Sequence, residues 1–128
     1  SLHDALPISS FQGPKSRDIL QSVSDADLAK LPFYHMAETR ICGMPVVITR
    51  TGYTAELGYE IYVDCDKGET VFGGVWQACQ AAGGRLCGSG TLDLRRVEAG
   101  LIAGLVAGVT RMHNAAPSHR SSATARRA

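Results

Sequence analysis

Fifteen residues near the middle of the chain, RTGYTAELGYEIYVD at 50–64, hold two glycines, three tyrosines and two glutamates. The run ends in strict alternation. Tyr59, Ile61 and Val63 alternate with Glu60, Tyr62 and Asp64, which predicts a strand with one apolar face, because neighbouring side chains on a strand point to opposite sides. A turn needs the glycines but not the acids, and a strand needs neither glutamate. The run is therefore either a ligand loop that leads into a strand or a hairpin with exposed acids and packed tyrosines. A carboxylate at the start of a strand suits a planar, guanidine-like group, since its two oxygens can accept two parallel N–H bonds. Glu60 is the candidate acceptor. Tyr53, seven positions earlier and turned back by Gly52 and Gly58, can hydrogen-bond or lie against the same ring.

At 128 residues the chain is at most one domain with a core of useful size. A formal charge of +1 gives no argument for nucleic acid or an anionic membrane as partner. The charge is unevenly placed. From Leu101 onward the ionised side chains are Arg111, Arg120, Arg126 and Arg127, so the rest carries nine basic against twelve acidic groups. The four cysteines, at 42, 65, 79 and 87, have no C-x-x-C spacing, and the four histidines are scattered, so no metal site is expected. Cys42 and Cys79 are expected as small buried thiols, which suits a reducing cytoplasm, or the mitochondrial matrix in a eukaryote.

The opening SLHDALPIS lacks the basic and long apolar regions of a signal peptide. FQGPKSRDIL at 11–20 places a break at Gly13-Pro14 and a helix from Pro14 to about Gln21, proline being suited to a first turn. SDAD at 24–27 predicts the cap of a short second helix ending before Pro32. Segments 33–39 and 44–49 predict two strands joined near Cys42-Gly43. DKGE at 66–69 opens a helix in which Val71, Phe72, Val75, Trp76 and Cys79 recur at helical period until Gly83-Gly84. Trp76 is read as core rather than as a ligand platform. A short strand is predicted at 85–87, then a helix from Thr91 to about Ala99 with Leu92, Val97 and Ala99 facing inward. The apolar run LIAGLVAGV at 101–109 is too short to cross a bilayer, and the Ala/Ser/Arg-rich end has the composition of a disordered tail.

Other candidates are weaker. Gly88-Ser-Gly90 precedes a helix, but without a Walker lysine or G-x-G-x-x-G it reads as a strand-to-helix turn. His35 has no nucleophile or acid at a recognisable spacing. Arg96 and Glu98 are expected to pair with each other or a neighbour, a solvated face being the default for such charges.

Three segments, FQGPKSRDIL (11–20), RTGYTAELGYEIY (50–62) and CGSGTLDLRRVEAGL (87–101), occur in the order and rough spacing of the aminomethyltransferase family. The chain thus resembles part of the glycine cleavage T-protein and its folate-dependent relatives over roughly residues 11–101. The middle motif is the specific one. The resemblance implies an α+β fold, a mixed or antiparallel sheet with packed helices, as a fragment of the T-protein folate-binding fold. It divides the chain into a leader outside the family pattern (1–10), a partial folate-binding domain (11–101) and a disordered or out-of-frame tail (102–128).

It also implies that tetrahydrofolate is bound, with Glu60 on the pteridine edge and Tyr53 nearby. The family reaction moves the one-carbon unit of an aminomethyl group from a lipoylated carrier, the H-protein, to tetrahydrofolate. An aspartate that assists it belongs to an earlier part of the family's chain, so this fragment is expected to be inactive alone. Two residues depart from the family pattern. Ala55 stands where the middle motif has glycine, and Leu92 where many members place an arginine before the helix aspartate. The alternatives are a non-enzymatic folate-binding or assembly module and a folate-dependent demethylase or amine-oxidase relative.

Overall fold

The computed structural model describes residues 8–101, so the expectations for 1–7 and for 102–128 lie outside the described residues. Four strands form one antiparallel sheet: β1 (Ile8–Gln12), β2 (Met36–Ile41), β3 (Met44–Thr49) and β4 (Gly58–Val63), in the spatial order β1-β4-β3-β2. Helices α1 (Ser16–Gln21), α2 (Gly68–Ala81) and α3 (Ser89–Glu98) complete the α+β arrangement. The sheet is wholly antiparallel, which narrows the expectation of a mixed or antiparallel one.

The β2–β3 hairpin turns on two residues, Cys42 at φ 51° and Gly43 at φ 78°. Positive φ at both central positions is the combination whose twist matches the flanking strands. It costs a side-chain-bearing residue such as Cys42 more than glycine. Cys42 is held there by its N–H to the Val23 carbonyl, 3.1 Å, and is exposed as a residue although its sulfur lies against Gly74 of α2. The expected burial is thus corrected for Cys42 but found for Cys79 on α2. Burial, then the nearby Cys87, raises the Cys79 thiol above its ordinary pKa.

The register places Ala37, Ile48, Ile61 and Ser9 in one row across the sheet and Thr39, Val46 and Val63 in the next. This face carries the core. Tyr59, Leu20, Leu28, Ile41, Ile48 and Ile61 are fully buried, with Val71 and Val75 of α2 closing over them. The helix packs against α1 and β2, and α1 against β4. Alternation assigned the buried face of β4, whereas of the predicted α2 stripe only Val71, Val75 and Cys79 are buried and Phe72 is exposed.

Four expectations need correction. No helix forms over 24–31. Ser24 Oγ accepts the Ala26 N–H, Asp27 Oδ1 accepts the Ala29 N–H, and the Gln21 side chain takes both the Leu28 N–H (2.8 Å) and the Ala26 carbonyl (2.6 Å). Short polar side chains that bond their own backbone compete with a helix, and here they win. Strand β2 starts at Met36 rather than Phe33, because Tyr34 adopts φ 61° and its ring packs tilted at 52° against Phe33, centroids 4.2 Å apart. Residues 85–87 pair with no strand among the described residues. Helix α3 buries none of its residues: Leu92, Leu94 and Val97 are exposed, and Ala99 is half-buried.

Candidate functional site

The opposite face of the sheet is polar. Pairing sets Ser10, Glu60, Thr49 and Met36 in one row, Gln12 beside Gly58, and Val47 with Glu38 and Tyr62 in the next row. Glu60 therefore stands at the centre of this face, half-buried, two residues into β4. Its Oε2 accepts the Thr51 hydroxyl at 2.6 Å and the Tyr62 hydroxyl at 3.2 Å. Thr51 is itself paired with Thr49, Oγ1 to Oγ1 at 2.6 Å. Oε1 has no partner among the described residues. Burial, then the Glu60 carboxylate, raises the Tyr62 phenol above its ordinary pKa, so it remains a proton donor through the neutral range.

A carboxylate oxygen offers about two acceptor positions, so Oε2 is saturated and Oε1 is open. Oε1 can accept one N–H from a ligand without displacing either hydroxyl. A second, parallel bond requires the Thr51 or Tyr62 hydroxyl to release Oε2. Tyr53 is exposed and makes no side-chain hydrogen bond among the described residues. The structure thus places Tyr53 in the loop and Glu60 on the strand that follows it, without joining them. Arg50 precedes that loop, donating from Nη1 to the Leu31 carbonyl at 3.0 Å, while its buried Nε lacks a partner among the described residues.

The residue that motif reading passed over is Gln12. Its amide lies over both loop glycines, and a Cβ built on Gly52 or Gly58 would overlap the Gln12 side chain. Gln12 Nε2, with two N–H groups, lies within hydrogen-bond reach of three acceptors, the Thr51 carbonyl (3.3 Å), the Tyr59 carbonyl (3.4 Å) and Ser10 Oγ (3.2 Å), and can serve two of them at a time. Its Oε1 accepts the Thr54 hydroxyl at 3.1 Å. The paired glycines are thereby explained: they leave room for a glutamine from another strand. The only sequence signal was FQGP ahead of the first helix, and nothing in it points across the sheet.

At the loop's tip Ala55 adopts φ 58°, the left-handed region, where a side chain costs roughly 1–2 kcal/mol. The glycine of the resembling motif is thus matched by a backbone that favours glycine. Ala55→Gly is expected to stabilise the chain by about 0.5–1 kcal/mol after the extra unfolded-state freedom of glycine is subtracted. The urea midpoint would read this, and an unchanged or lower midpoint would refute it.

Glu56, next along the loop, binds Arg95 of α3 at 2.8 Å, and Arg95 also holds Glu98 at 3.0 Å. Arg96 reaches Asp93 at 3.6 Å, so of the two expected alternatives Arg96 and Glu98 each take a neighbour rather than each other. A cleft of about 850 Å³ opens between β1, α2 and the segment leading to α3. Its walls include Phe11, Phe72, Trp76, Leu86 and Leu92, with Glu56 and Arg95 among its polar residues. Trp76 is half-buried here, which corrects its reading as plain core. Neither Tyr53 nor Glu60 lines the cleft. Its lining joins Ile61, Val71 and Val75 of the core face to Ser10, Gln12 and Thr54 at the β1 edge, while Thr51 and Tyr62 lie outside it. No helix among the described residues is long and apolar enough to cross a membrane.

Comparison with known proteins bears on this geometry. The family described as the GCVT N-terminal domain matches residues 1–106. A trimethylamine-oxide aldolase of Ruegeria pomeroyi is 44% identical over 99 residues, covering 71% of this chain and 12% of that protein. An aminomethyltransferase of Halothermothrix orenii is 42% identical over 101 residues, covering 76% of this chain and 27% of the relative. An aminomethyltransferase of Bacillus subtilis is 40% identical over 99 residues, covering 77% and 27%. The chain spans 12–27% of the length of these three relatives.

Proposed function

The chain belongs to the GCVT N-terminal domain family, and from that premise we propose that the polar face of its sheet is part of a tetrahydrofolate site. In this reading Glu60 accepts from the pteridine edge, whose ring N–H and amino group lie side by side, and Tyr53 lies near the same ring. The observation that carries it is the open Oε1 of Glu60, on a carboxylate already oriented by the Thr51 and Tyr62 hydroxyls. A charged acceptor held in place and half-buried binds a planar donor more strongly than one free in water. The Tyr53 ring, exposed and unengaged, is available to lie against such a heterocycle.

For the whole protein of which this segment would be a part, we propose aminomethyl transfer to tetrahydrofolate. The donor would be an H-protein-type lipoylated carrier, as in glycine cleavage, in a cytoplasmic or mitochondrial-matrix setting. The 128 residues alone are proposed to bind without catalysing the transfer. The 44% identical trimethylamine-oxide aldolase favours one second reading, a relative that uses the same folate clamp with a different amine. Leu92 in place of the expected arginine agrees with it. Donor specificity separates the two: incubating the full-length protein and tetrahydrofolate with aminomethyl-lipoyl carrier or with trimethylamine oxide would show which yields the one-carbon product.

The folate reading itself is tested by calorimetric titration of tetrahydrofolate into this chain. Glu60→Gln is expected to weaken binding by about 1.5–3 kcal/mol, the scale of a hydrogen bond to a charged group, and Tyr53→Phe by less. A wild-type chain that does not bind, or a Glu60→Gln chain that binds equally well, counts against the reading.

A further inference from the structure

We infer that Gln12 is a positioning residue for Glu60, acting through Thr51. The route consists of two contacts. Gln12 Nε2 holds the Thr51 carbonyl at 3.3 Å, and the Thr51 hydroxyl holds Glu60 Oε2 at 2.6 Å. Gln12 is also bonded to both ends of the loop, through the Thr51 and Tyr59 carbonyls, and to its middle, through the Thr54 hydroxyl. One amide therefore sets where the loop leaves β3, where it re-enters β4 and how its tip is tied. Glycine at 52 and 58 allows this close approach. Gln12 does not touch Glu60; it fixes the residue that orients the carboxylate.

The inference predicts more than a loss of stability. Removing the amide while keeping the side chain's length frees Thr51 to turn, and Glu60 Oε2 loses its shorter hydroxyl partner. Gln12→Met does this, and Thr51→Val removes the same hydroxyl directly. If both act on one route, their effects on Glu60 overlap rather than add, which is the signature of coupled residues.

The functional half of this inference rests on the folate reading, so the experiment has two arms. In the first, without ligand, the side-chain carboxyl 13C resonance of Glu60 is compared in wild type, Gln12→Met, Thr51→Val and the double variant. The single variants should shift it in the same direction, and the double variant no further than Thr51→Val. An unmoved resonance in Gln12→Met, or shifts that add, overturns the route whatever binds. In the second arm, tetrahydrofolate is titrated into the same proteins and Glu60→Gln. Gln12→Met should weaken binding about three- to tenfold, the scale of one neutral hydrogen bond, with the double variant no weaker than Thr51→Val. Loss of binding in Glu60→Gln with none in Gln12→Met overturns the inference and leaves the folate reading standing. Unchanged binding in Glu60→Gln overturns the folate reading, while the carboxyl resonances still decide the route.

Discussion

Replacing Tyr59 with alanine is expected to destabilise the chain by about 3–5 kcal/mol, the range for deleting a fully buried ring. Tyr59 heads the fully buried side chains by volume. It projects from β4 into the layer formed with α1 and α2, one residue before Glu60 on the opposite face. Its hydroxyl accepts from Arg17 Nε at 3.4 Å, joining β4 to α1. A small domain has about 5–15 kcal/mol of net stability, so this one truncation would remove a large part of it. Tyr59→Phe keeps the ring and loses one long hydrogen bond, so it should cost only about 0.5–1.5 kcal/mol. Chemical denaturation followed by the fluorescence of Trp76 would measure both. A cost below about 1 kcal/mol for Tyr59→Ala would mean that the core collapses around the gap, contrary to close packing.

Gly58→Ala is expected to cost about 2–4 kcal/mol, combining overpacking with the loss of Gln12's hydrogen bonds. The sign is informative, because an alanine at an uncrowded strand position is neutral or better than glycine. Here the new Cβ would occupy the space of the Gln12 amide, which cannot leave without abandoning the Thr51 and Tyr59 carbonyls and the Thr54 hydroxyl. The two positions should be strongly coupled. Adding Gln12→Ala to Gly58→Ala should recover stability relative to Gly58→Ala alone, even though Gln12→Ala by itself is destabilising. Additive losses in the double variant would show that the glycine is needed for its backbone and not for the space above it. The site depends on the same crowding: without it the loop is no longer tied across the sheet, and Thr51 is no longer set beside Glu60.

Much of this fold was legible before any coordinates. Alternation over 59–64 assigned β4 with its buried face, and the stripe over 71–79 assigned α2 and the buried Val71, Val75 and Cys79, because a backbone's period alone decides which side chains share a side. Phe72 and Trp76, at the stripe's edge, line the cleft instead. The hairpin near Cys42-Gly43 and the placing of Glu60 at the beginning of a strand came from the same local rules. The failures were of two kinds. Over 24–31 the capping residues were read as a helix start, yet their side chains closed turns instead. On α3 the apolar pattern was read as inward-facing, but Leu92, Leu94 and Val97 meet no core within the described residues.

The order of residues on its own determined the elements, their apolar sides and the candidate carboxylate, all of which follow from period and composition within short windows. Tertiary structure alone decided that β1 lies beside β4, and hence that a glutamine from 12 fills the space above glycines at 52 and 58. The reason is that a strand's pattern states which face is buried but not which strand will be its neighbour. Antiparallel register supplies that neighbour and sets Thr49 beside Glu60, whereas the Tyr62 hydroxyl, two residues along the same strand, already follows from alternation.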